Sequence, residues 1–251
     1  MGDDRIDRSR HFRGVVGGYR LPTAKPMYLE PFFYQFRNDN QVWGRQTAEE
    51  NRNYYGLRLW GNVGKLRTDS FVTVQRGSFG GRDLRAYMAS TSNAWTLSDS
   101  GWKPRLGFHS EIASGGGGTS GTGTLRNNNF LYGNTIYFSW ATFFGPVNLV
   151  TAAPTFTFSP TSKITVNLEW ETLWRQTTSD AIYNNQARAY ARTQNTGERR
   201  IGTMPRINAT WNIDPNWSVT FRAEHLMAGP ALEKAGYGDS TFVMGWLNFR
   251  F

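Results

Sequence analysis

The chain of 251 residues contains no cysteine, which excludes disulfides and cysteine-based metal or redox sites. It carries a formal net charge of +9, and 15% of its residues are aromatic. Its mean hydropathy of −0.54 excludes a helical membrane protein, since a spanning helix needs roughly 20 consecutive apolar residues. Composition leaves two all-β alternatives open, a transmembrane β-barrel and a soluble β-sandwich or lectin-like domain.

The basic charge comes almost entirely from arginine, with 23 arginines against 5 lysines. This bias favours a partner that carries carboxylate or phosphate groups, because the planar guanidinium fork matches both. A pI near 10.0 is common in nucleic-acid-binding proteins. Here the arginines are spread singly along the chain, so we expect no nucleic-acid partner. His11, His109 and His225 form no metal-binding pattern, and we expect neither a metal site nor a cofactor.

Segments of alternating polarity, separated by turn residues, predict about twelve antiparallel strands. In chain order they lie at about 10–20, 27–39, 53–64, 66–77, 82–90, 104–112, 134–144, 147–160, 162–176, 205–213, 217–225 and 240–251. Their length of about ten residues is what a tilted strand needs to cross a bilayer.

The connections between these segments are of two kinds. Short turns such as DPN (214–216) alternate with longer polar stretches. The segment SGGGGTSGTGT (114–124) predicts a long flexible loop, and a second polar loop is predicted at about 177–199. Outer-membrane barrels have short periplasmic turns and long external loops. The pattern therefore predicts an all-β, antiparallel transmembrane β-barrel in a bacterial outer membrane, with outer-membrane lipid around it.

The last strand shows which solvent each face of the predicted barrel prefers. In STFVMGWLNFRF (240–251), one face carries Val243, Leu247, Phe249 and Phe251, and it suits lipid. On other strands, tryptophans fall on the corresponding face near the strand ends and predict a girdle at the membrane interface: Trp170, Trp174, Trp211 and Trp217.

Charged side chains occupy the positions that are out of phase with these lipid-facing residues. The predicted water-facing set comprises Arg58, Arg67, Arg85, Arg105, Arg175, Arg206, Arg222, Arg250, Asp69, Glu111, Glu169, Glu171 and Glu224. A lumen lined by arginines attracts an anionic chain and releases it in steps, which conduction requires. The alternative is a set of Arg–Glu ladders that make the interior rigid, as in any porin.

Aromatic residues are also predicted on the water-facing side, at Tyr54, Trp60, Tyr87 and Trp246. Aromatic faces can stack on sugar rings, and this would suit a glycan path. Interior packing is the more frequent explanation for such residues.

Catalysis finds little support in the sequence. Glu169 and Glu171 share one strand face about 7 Å apart, as two carboxylates for glycoside hydrolysis would. The neighbouring Arg175 and Asn167 instead favour a salt-bridge network. We therefore expect no catalytic residues and a protein that is not an enzyme; a barrel enzyme acting on lipid or glycan is the least favoured hypothesis.

Several ordered motifs resemble the bacterial alginate export family of outer-membrane proteins. They are DDRIDRSRHFRGV, GLRLWGNVG, VTVQRGSFGG, WKPRLGFHSEIASGG and FGPVNLVTAAPTFTFSPTSKITVNLEWETLWRQ. The resemblance implies an outer-membrane channel for alginate or a similar anionic exopolysaccharide, with periplasmic export-complex proteins as further partners. A general or anion-preferring porin for small solutes is the alternative.

The sequence departs from this family in two respects. The loop at 114–135 reads SGGGGTSGTGT and lacks the acidic Ser-Gly-Asp element that is usual there. Family barrels also have about eighteen strands, within the range known for outer-membrane barrels. Together with the charged start MGDDRIDRSR, which lacks the apolar region of a signal peptide, this implies that residues 1–251 correspond to the C-terminal part of such a barrel.

Overall fold

The computed structural model describes residues 8–131 and 139–251. Twelve strands form one antiparallel sheet, in which consecutive long strands are neighbours. The strands are β1 (Arg10–Val16), β2 (Tyr19–Arg20), β3 (Met27–Trp43), β4 (Gln46–Val63), β5 (Leu66–Phe79), β6 (Arg82–Thr96), β7 (Arg105–Ala113), β8 (Leu149–Thr161), β9 (Ile164–Arg175), β10 (Arg200–Asn212), β11 (Trp217–Ala228) and β12 (Ser240–Phe249). A short helix, α1, covers Pro230–Glu233. Among the described residues, no helix has both the length and the apolar content needed to span a membrane.

The predicted all-β antiparallel fold is confirmed, although one predicted strand is divided and the described part of another forms no strand. The first predicted strand is divided into β1 and β2, because the chain leaves the ladder at Gly17 and Gly18. Residues 134–138 of the predicted strand 134–144 lie outside the described residues, and residues 139–144 form no strand. As a result β7 pairs directly with β8.

The two faces of the sheet differ as strand alternation requires. On β4, Glu50, Arg52 and Tyr54 are buried, whereas Tyr55 and Leu57, at positions of the opposite parity, are exposed. We call the first face the inner face and the second the outer face. Residues on the outer face are largely apolar; the exposed fraction is 40% for Leu57, 39% for Leu168 and 53% for Phe249.

The sheet is curved so that distant strands meet the same loop on its inner face. Trp43, at the end of β3, packs on Tyr183, and Tyr237, which follows β11, packs on Tyr190, with ring centroids 6.1 and 5.3 Å apart. Tyr183 and Tyr190 belong to one short hairpin, in which the Tyr190 N–H donates to the Ile182 carbonyl. In a flat sheet β3 and β11, eight neighbours apart in the strand order, would be about 38 Å from each other. The curvature is that of a barrel, but within the described residues β1 pairs only with β3 and β12 only with β11, so the sheet is not closed.

The two ends of the sheet carry different connections. One end, the short-turn end, has the connections 64–65, 97–104, 162–163 and 213–216. The other, the long-loop end, has the long connections 114–148, 176–199 and 229–239, together with the tight turns 44–45 and 80–81. The predicted DPN turn is confirmed, since the Asp214 carboxylate accepts hydrogen bonds from the N–H groups of Asn216 (2.8 Å) and Trp217 (2.9 Å).

The first two long loops, 114–148 and 176–199, fold onto the inner face, and we call their described residues together the plug. The prediction of a flexible loop at 114–124 is therefore wrong. Gly115, Gly116 and Gly118 are buried, and Leu125 pairs with Leu84 of β6. Gly115 and Gly118 provide space, because a Cβ would lie 2.3 Å from Asn148 Cβ and 2.4 Å from the Tyr183 hydroxyl, respectively, whereas Gly116 has a φ of +123° that favours glycine.

Candidate functional site: the charged interior

Asp180 holds the two loops of the plug together. Its fully buried carboxylate accepts hydrogen bonds from the N–H groups of Gly116 (2.9 Å) and Thr119 (3.1 Å). The hydroxyls of Thr119 and Tyr183 donate to it at 2.7 and 2.9 Å. Burial and the nearby Asp180 raise the pKa of Tyr183. A single carboxylate thus orders the Gly-rich segment, which has no acidic residue of its own.

A buried cluster on β4 and β5 attaches the plug to the sheet. Arg52 and Glu50 form an ion pair with no exposed side-chain surface, and the Arg52 Nε lies 2.8 Å from the Glu50 Oε1. Arg52 also donates to Gln75 Oε1 at 2.5 Å. From the plug, the side-chain amide of Asn129 donates to Glu50 at 2.9 Å and its backbone N–H to Gln75 at 3.1 Å. Arg52 therefore helps to attach the loop 114–148 to the sheet.

Arg175 is buried, which corrects its assignment to the water-facing path. Its guanidinium donates to the backbone carbonyls of Asp180 (3.0 Å), Thr193 (2.8 Å) and Glu198 (2.7 Å), and to Thr196 Oγ1 (3.1 Å). No part of its side chain is exposed. The side chain therefore clamps the second long loop and cannot meet a passing solute.

A cluster of acidic residues surrounds Arg206 on the inner face of β7, β9 and β10. Its guanidinium contacts the carboxylate of Glu169 and lies 3.1 Å from that of Glu171. His109 Nε2 lies 3.5 and 3.4 Å from the same two carboxylates. Glu111 accepts a hydrogen bond from Ser90 at 3.2 Å. The expected network around the two glutamates therefore exists, but its arginine is Arg206 and not Arg175.

The same cluster has the composition of a cation site. Ligand atoms of His109, Glu169 and Glu171 lie within 4.8 Å of one another. However, the Arg206 guanidinium lies against both carboxylates and supplies the positive charge itself. An added cation would be repelled by that guanidinium, so the geometry favours an ion-pair network over a metal site.

A second ion pair lies on β11, and its carboxylate also holds the plug. Arg222 Nε lies 2.6 Å from the Glu224 carboxylate, which also accepts hydrogen bonds from the Ser139 hydroxyl (2.5 Å) and the Trp140 N–H (2.8 Å). The Trp140 ring stacks on Trp246 of β12 at 4.6 Å. Trp246 is thus on the inner face as predicted, and it packs against protein.

Arg58 lies nearer the short-turn end and is also compensated. Its guanidinium donates a bidentate pair of hydrogen bonds to the Asp69 carboxylate, at 2.8 and 2.6 Å, and lies 3.6 Å from the Glu30 carboxylate. Its guanidinium lies 5.5 Å from the Trp60 ring, which stacks on Tyr28 at 4.6 Å. Tyr54 is on the same face and is 5% exposed.

The short-turn end carries a basic cavity of about 260 Å³. Its charged lining consists of Lys25, Lys65, Arg67, Arg105 and Asp99. Lys25 donates to the Gly64 carbonyl at 2.6 Å. Within residues 8–131 and 139–251, neither an ion pair nor a side-chain hydrogen bond engages Arg67 or Arg105. We call this cavity the basic vestibule. Arg250 follows β12 at the same end and is exposed.

The assignment of Arg85 and Tyr87 to the water-facing side is corrected. On β6 the buried residues are Leu84, Ala86 and Met88, so the odd positions lie on the outer face. The Arg85 side chain is 62% exposed and pairs with Asp83 at 2.7 Å. Tyr87 is 39% exposed on the same face.

Three important interior residues were missed by the sequence analysis. Glu50 and Arg52 share the phase of Tyr54 on β4, and this alternation was a usable signal. Asp180 lies in a loop, where neither strand phase nor spacing indicates its contacts.

The model of a family described as alginate export matches residues 1–245, which is nearly the whole chain. No curated protein matches the chain.

Proposed function

The chain belongs to the alginate export family, and on that premise we propose that it passes an anionic polysaccharide bearing uronate carboxylates, such as alginate. The family and the antiparallel sheet support the broader statement, a polysaccharide export channel of the outer-membrane β-barrel type. The preference for a polyanion, its basis in particular arginines and the periplasmic partners are our additions.

The observation that carries the proposal is the charge balance of the basic vestibule. Four basic side chains line it against one carboxylate, and the guanidinium groups of Arg67 and Arg105 are not committed to partners among the described residues. A concave surface of one charge sign raises the local concentration of an oppositely charged chain. Partly exposed guanidinium groups hold a carboxylate weakly enough to let it move on. Because outer-membrane barrels have their short turns on the periplasmic side, this end is expected to face the periplasm. An exported polymer and its partner proteins would arrive there.

The arginines deeper in the interior have a different role in this proposal. Arg58, Arg206 and Arg222 each lie against at least one carboxylate. Such pairs make the wall rigid and leave little net positive field. We therefore assign anion preference to Arg67 and Arg105, and interior scaffolding to the paired arginines.

The second candidate is an anion-preferring porin for small solutes. The position of the plug favours it, because the large side chains of Leu125 and Tyr183 are fully buried on the inner face. A passage narrowed by these side chains admits small anions more readily than a polymer.

Recordings from the full chain in planar bilayers separate the two candidates. We expect oligouronate added on the short-turn side to block the current, and a neutral oligosaccharide of equal length to leave it unchanged. A porin for small solutes would show no block by either oligomer.

The double variant Arg67→Glu/Arg105→Glu tests the vestibule itself. We expect its reversal potential to shift toward cation preference and block by oligouronate to weaken by about tenfold, equivalent to about 1.4 kcal/mol. The matched control Arg45→Glu/Arg188→Glu makes the same charge change at exposed positions of the long-loop end and should retain the block. An unchanged reversal potential and undiminished block in the vestibule variant would refute the assignment.

A further inference from the structure

On the outer face, a row of aromatic and apolar residues is followed, two residues further along each strand, by a row that contains three arginines. Across five neighbouring strands, one row contains Val15, Phe33, Tyr55, Val74 and Tyr87. The next row on this face toward the long-loop end contains Arg13, Gln35, Asn53, Arg76 and Arg85. We call these the aromatic row and the basic row.

The aromatic row lies where the outer boundary of the membrane is expected. On β6, Tyr87 and Trp95 are eight residues apart on the outer face, and Trp95 lies at the short-turn end, 51% exposed. Eight residues span about 27 Å along a strand, or about 21 Å along the membrane normal at a tilt of about 40°. That is close to the apolar band of about 25 Å that outer-membrane barrels present to lipid. The basic row therefore lies at the level of the lipid headgroups on the long-loop side.

Two arginines of the basic row face each other directly. Arg76 and Arg85 are cross-strand partners on β5 and β6, and both are exposed. Like charges at such a pair destabilise a sheet unless something compensates them. Asp83 binds only the Nε of Arg85, and Arg76 donates one Nη1 bond to the carbonyl of Gln75. Within the described residues, no further hydrogen bond engages either guanidinium.

The neighbouring row does not share this property. In the next row of the outer face toward the long-loop end, Arg37 is paired with both Glu49 (2.7 Å) and Asp39 (3.0 Å). Its charge is already balanced by protein carboxylates. The pair Arg76 and Arg85 instead has two positive charges against one carboxylate, that of Asp83, and Arg13 at the other end of the row is hydrogen-bonded to the neutral side chain of Gln35.

We propose that Arg76 and Arg85, on the outer face, bind a phosphate group of a lipid headgroup in the outer leaflet, and that Arg13 extends this contact along the row. Two guanidinium groups at cross-strand distance can each donate two hydrogen bonds to one phosphate. The site is separate from the transport path, because these side chains lie on the face opposite to the interior. A phosphate there relieves the repulsion between the arginines and fixes the sheet at one depth in the membrane.

The test uses the full chain in nanodiscs of phosphatidylcholine with a small fraction of a bisphosphorylated glycolipid. Native mass spectrometry counts the glycolipid molecules retained, and parallel discs contain the same glycolipid without its phosphates. We expect retention of the phosphorylated form only, and a loss of about tenfold in Arg76→Gln/Arg85→Gln. Arg76→Lys/Arg85→Lys keeps the charge but not the forked geometry. Its retention of the phosphorylated glycolipid should lie between that of the unmodified chain and that of Arg76→Gln/Arg85→Gln.

The control variant is Arg45→Gln/Arg126→Gln, which removes the same charge from exposed positions of the long-loop end. It should bind the glycolipid as the unmodified chain does, and circular dichroism should show the same strand content for all variants. Equal retention of the dephosphorylated glycolipid, or full retention by Arg76→Gln/Arg85→Gln, would overturn the proposal. Displacement of the glycolipid by millimolar inorganic phosphate would also overturn it, since the site would then prefer free phosphate.

Discussion

The hydroxyl of Tyr183 donates a buried hydrogen bond of 2.9 Å to the carboxylate of Asp180, three residues before it. The same carboxylate accepts bonds from the N–H groups of Gly116, Thr119 and Ala181. Donors from both long loops therefore converge on one side chain. The plug is held as a unit by a charged group that water does not reach.

Replacing this carboxylate should release the plug. In Asp180→Asn, one oxygen acceptor becomes an amide that faces N–H donors, and a hydrogen bond to a charged group contributes about 1.5–3 kcal/mol. We expect the free energy of unfolding in urea to fall by about 3 kcal/mol and residues 114–124 to become open to protease. The control Asp99→Asn changes an exposed carboxylate at the opposite end and should leave both unchanged.

The plug should also loosen at high pH. Burial raises the pKa of Tyr183 in the folded chain above its unfolded value of about 10, so the folded state favours the neutral phenol. The stability that this contributes is complete below pH of about 10 and is lost as the pH rises further. We expect proteolysis of residues 114–124 to increase above that pH. Tyr183→Phe should reduce the pH dependence, and an equal dependence in this variant would place its origin elsewhere.

Arg175 should tolerate no substitution, even by lysine. A lysine ammonium cannot reproduce the fork that spans the carbonyls of Asp180, Thr193 and Glu198. We expect Arg175→Lys to lower the free energy of unfolding by about 3 kcal/mol, as for a broken buried polar network. Arg188→Lys, at an exposed position of the same loop, is the matched control. If the anion preference of the open channel changed in Arg175→Lys while stability did not, the side chain would belong to the transport path.

Neighbouring residues on β9 should respond in opposite ways to a new charge. Leu168 is on the outer face and 39% exposed, whereas Asn167 is on the inner face and accepts a hydrogen bond from Thr157. Leu168→Arg should destabilise the chain in lipid by about 2–4 kcal/mol, the cost of arginine near the bilayer midplane. Asn167→Arg should cost much less. Denaturant titration in lipid vesicles measures both, and equal losses would argue against the assigned faces.

Strand faces could be read from the sequence wherever large apolar residues alternate with charged ones. The alternation on β9 placed Leu168 outside and Glu169 inside correctly. The same reasoning failed on β6, because the plug covers the inner face there and its inward positions are apolar, Leu84, Ala86 and Met88. Arg85 and Tyr87 then looked like the water-facing set.

The role of Arg175 could not be predicted for a related reason. Its position on the inner face follows from strand phase, but its partners are backbone carbonyls of a loop that returns to it about twenty residues later. Nothing in the sequence of residues 176–199 encodes that return in a periodic pattern. The same holds for Asp180, because two of its donors, Gly116 and Thr119, lie more than sixty residues earlier in the chain.

The contacts of the plug imply an order of assembly. Ladder partners in the sheet belong to consecutive long strands, so each pairing closes only a modest loop once the previous strand is in place. The hydrogen bonds of the plug instead join residues far apart in the chain, such as Asn129 to Glu50 and Ser139 to Glu224. The entropic cost of closing these long chain loops becomes small only after the curved sheet has brought both sites together. We therefore expect the sheet and the plug to be two cooperative folding units, in which the sheet forms first and the plug docks onto it afterwards.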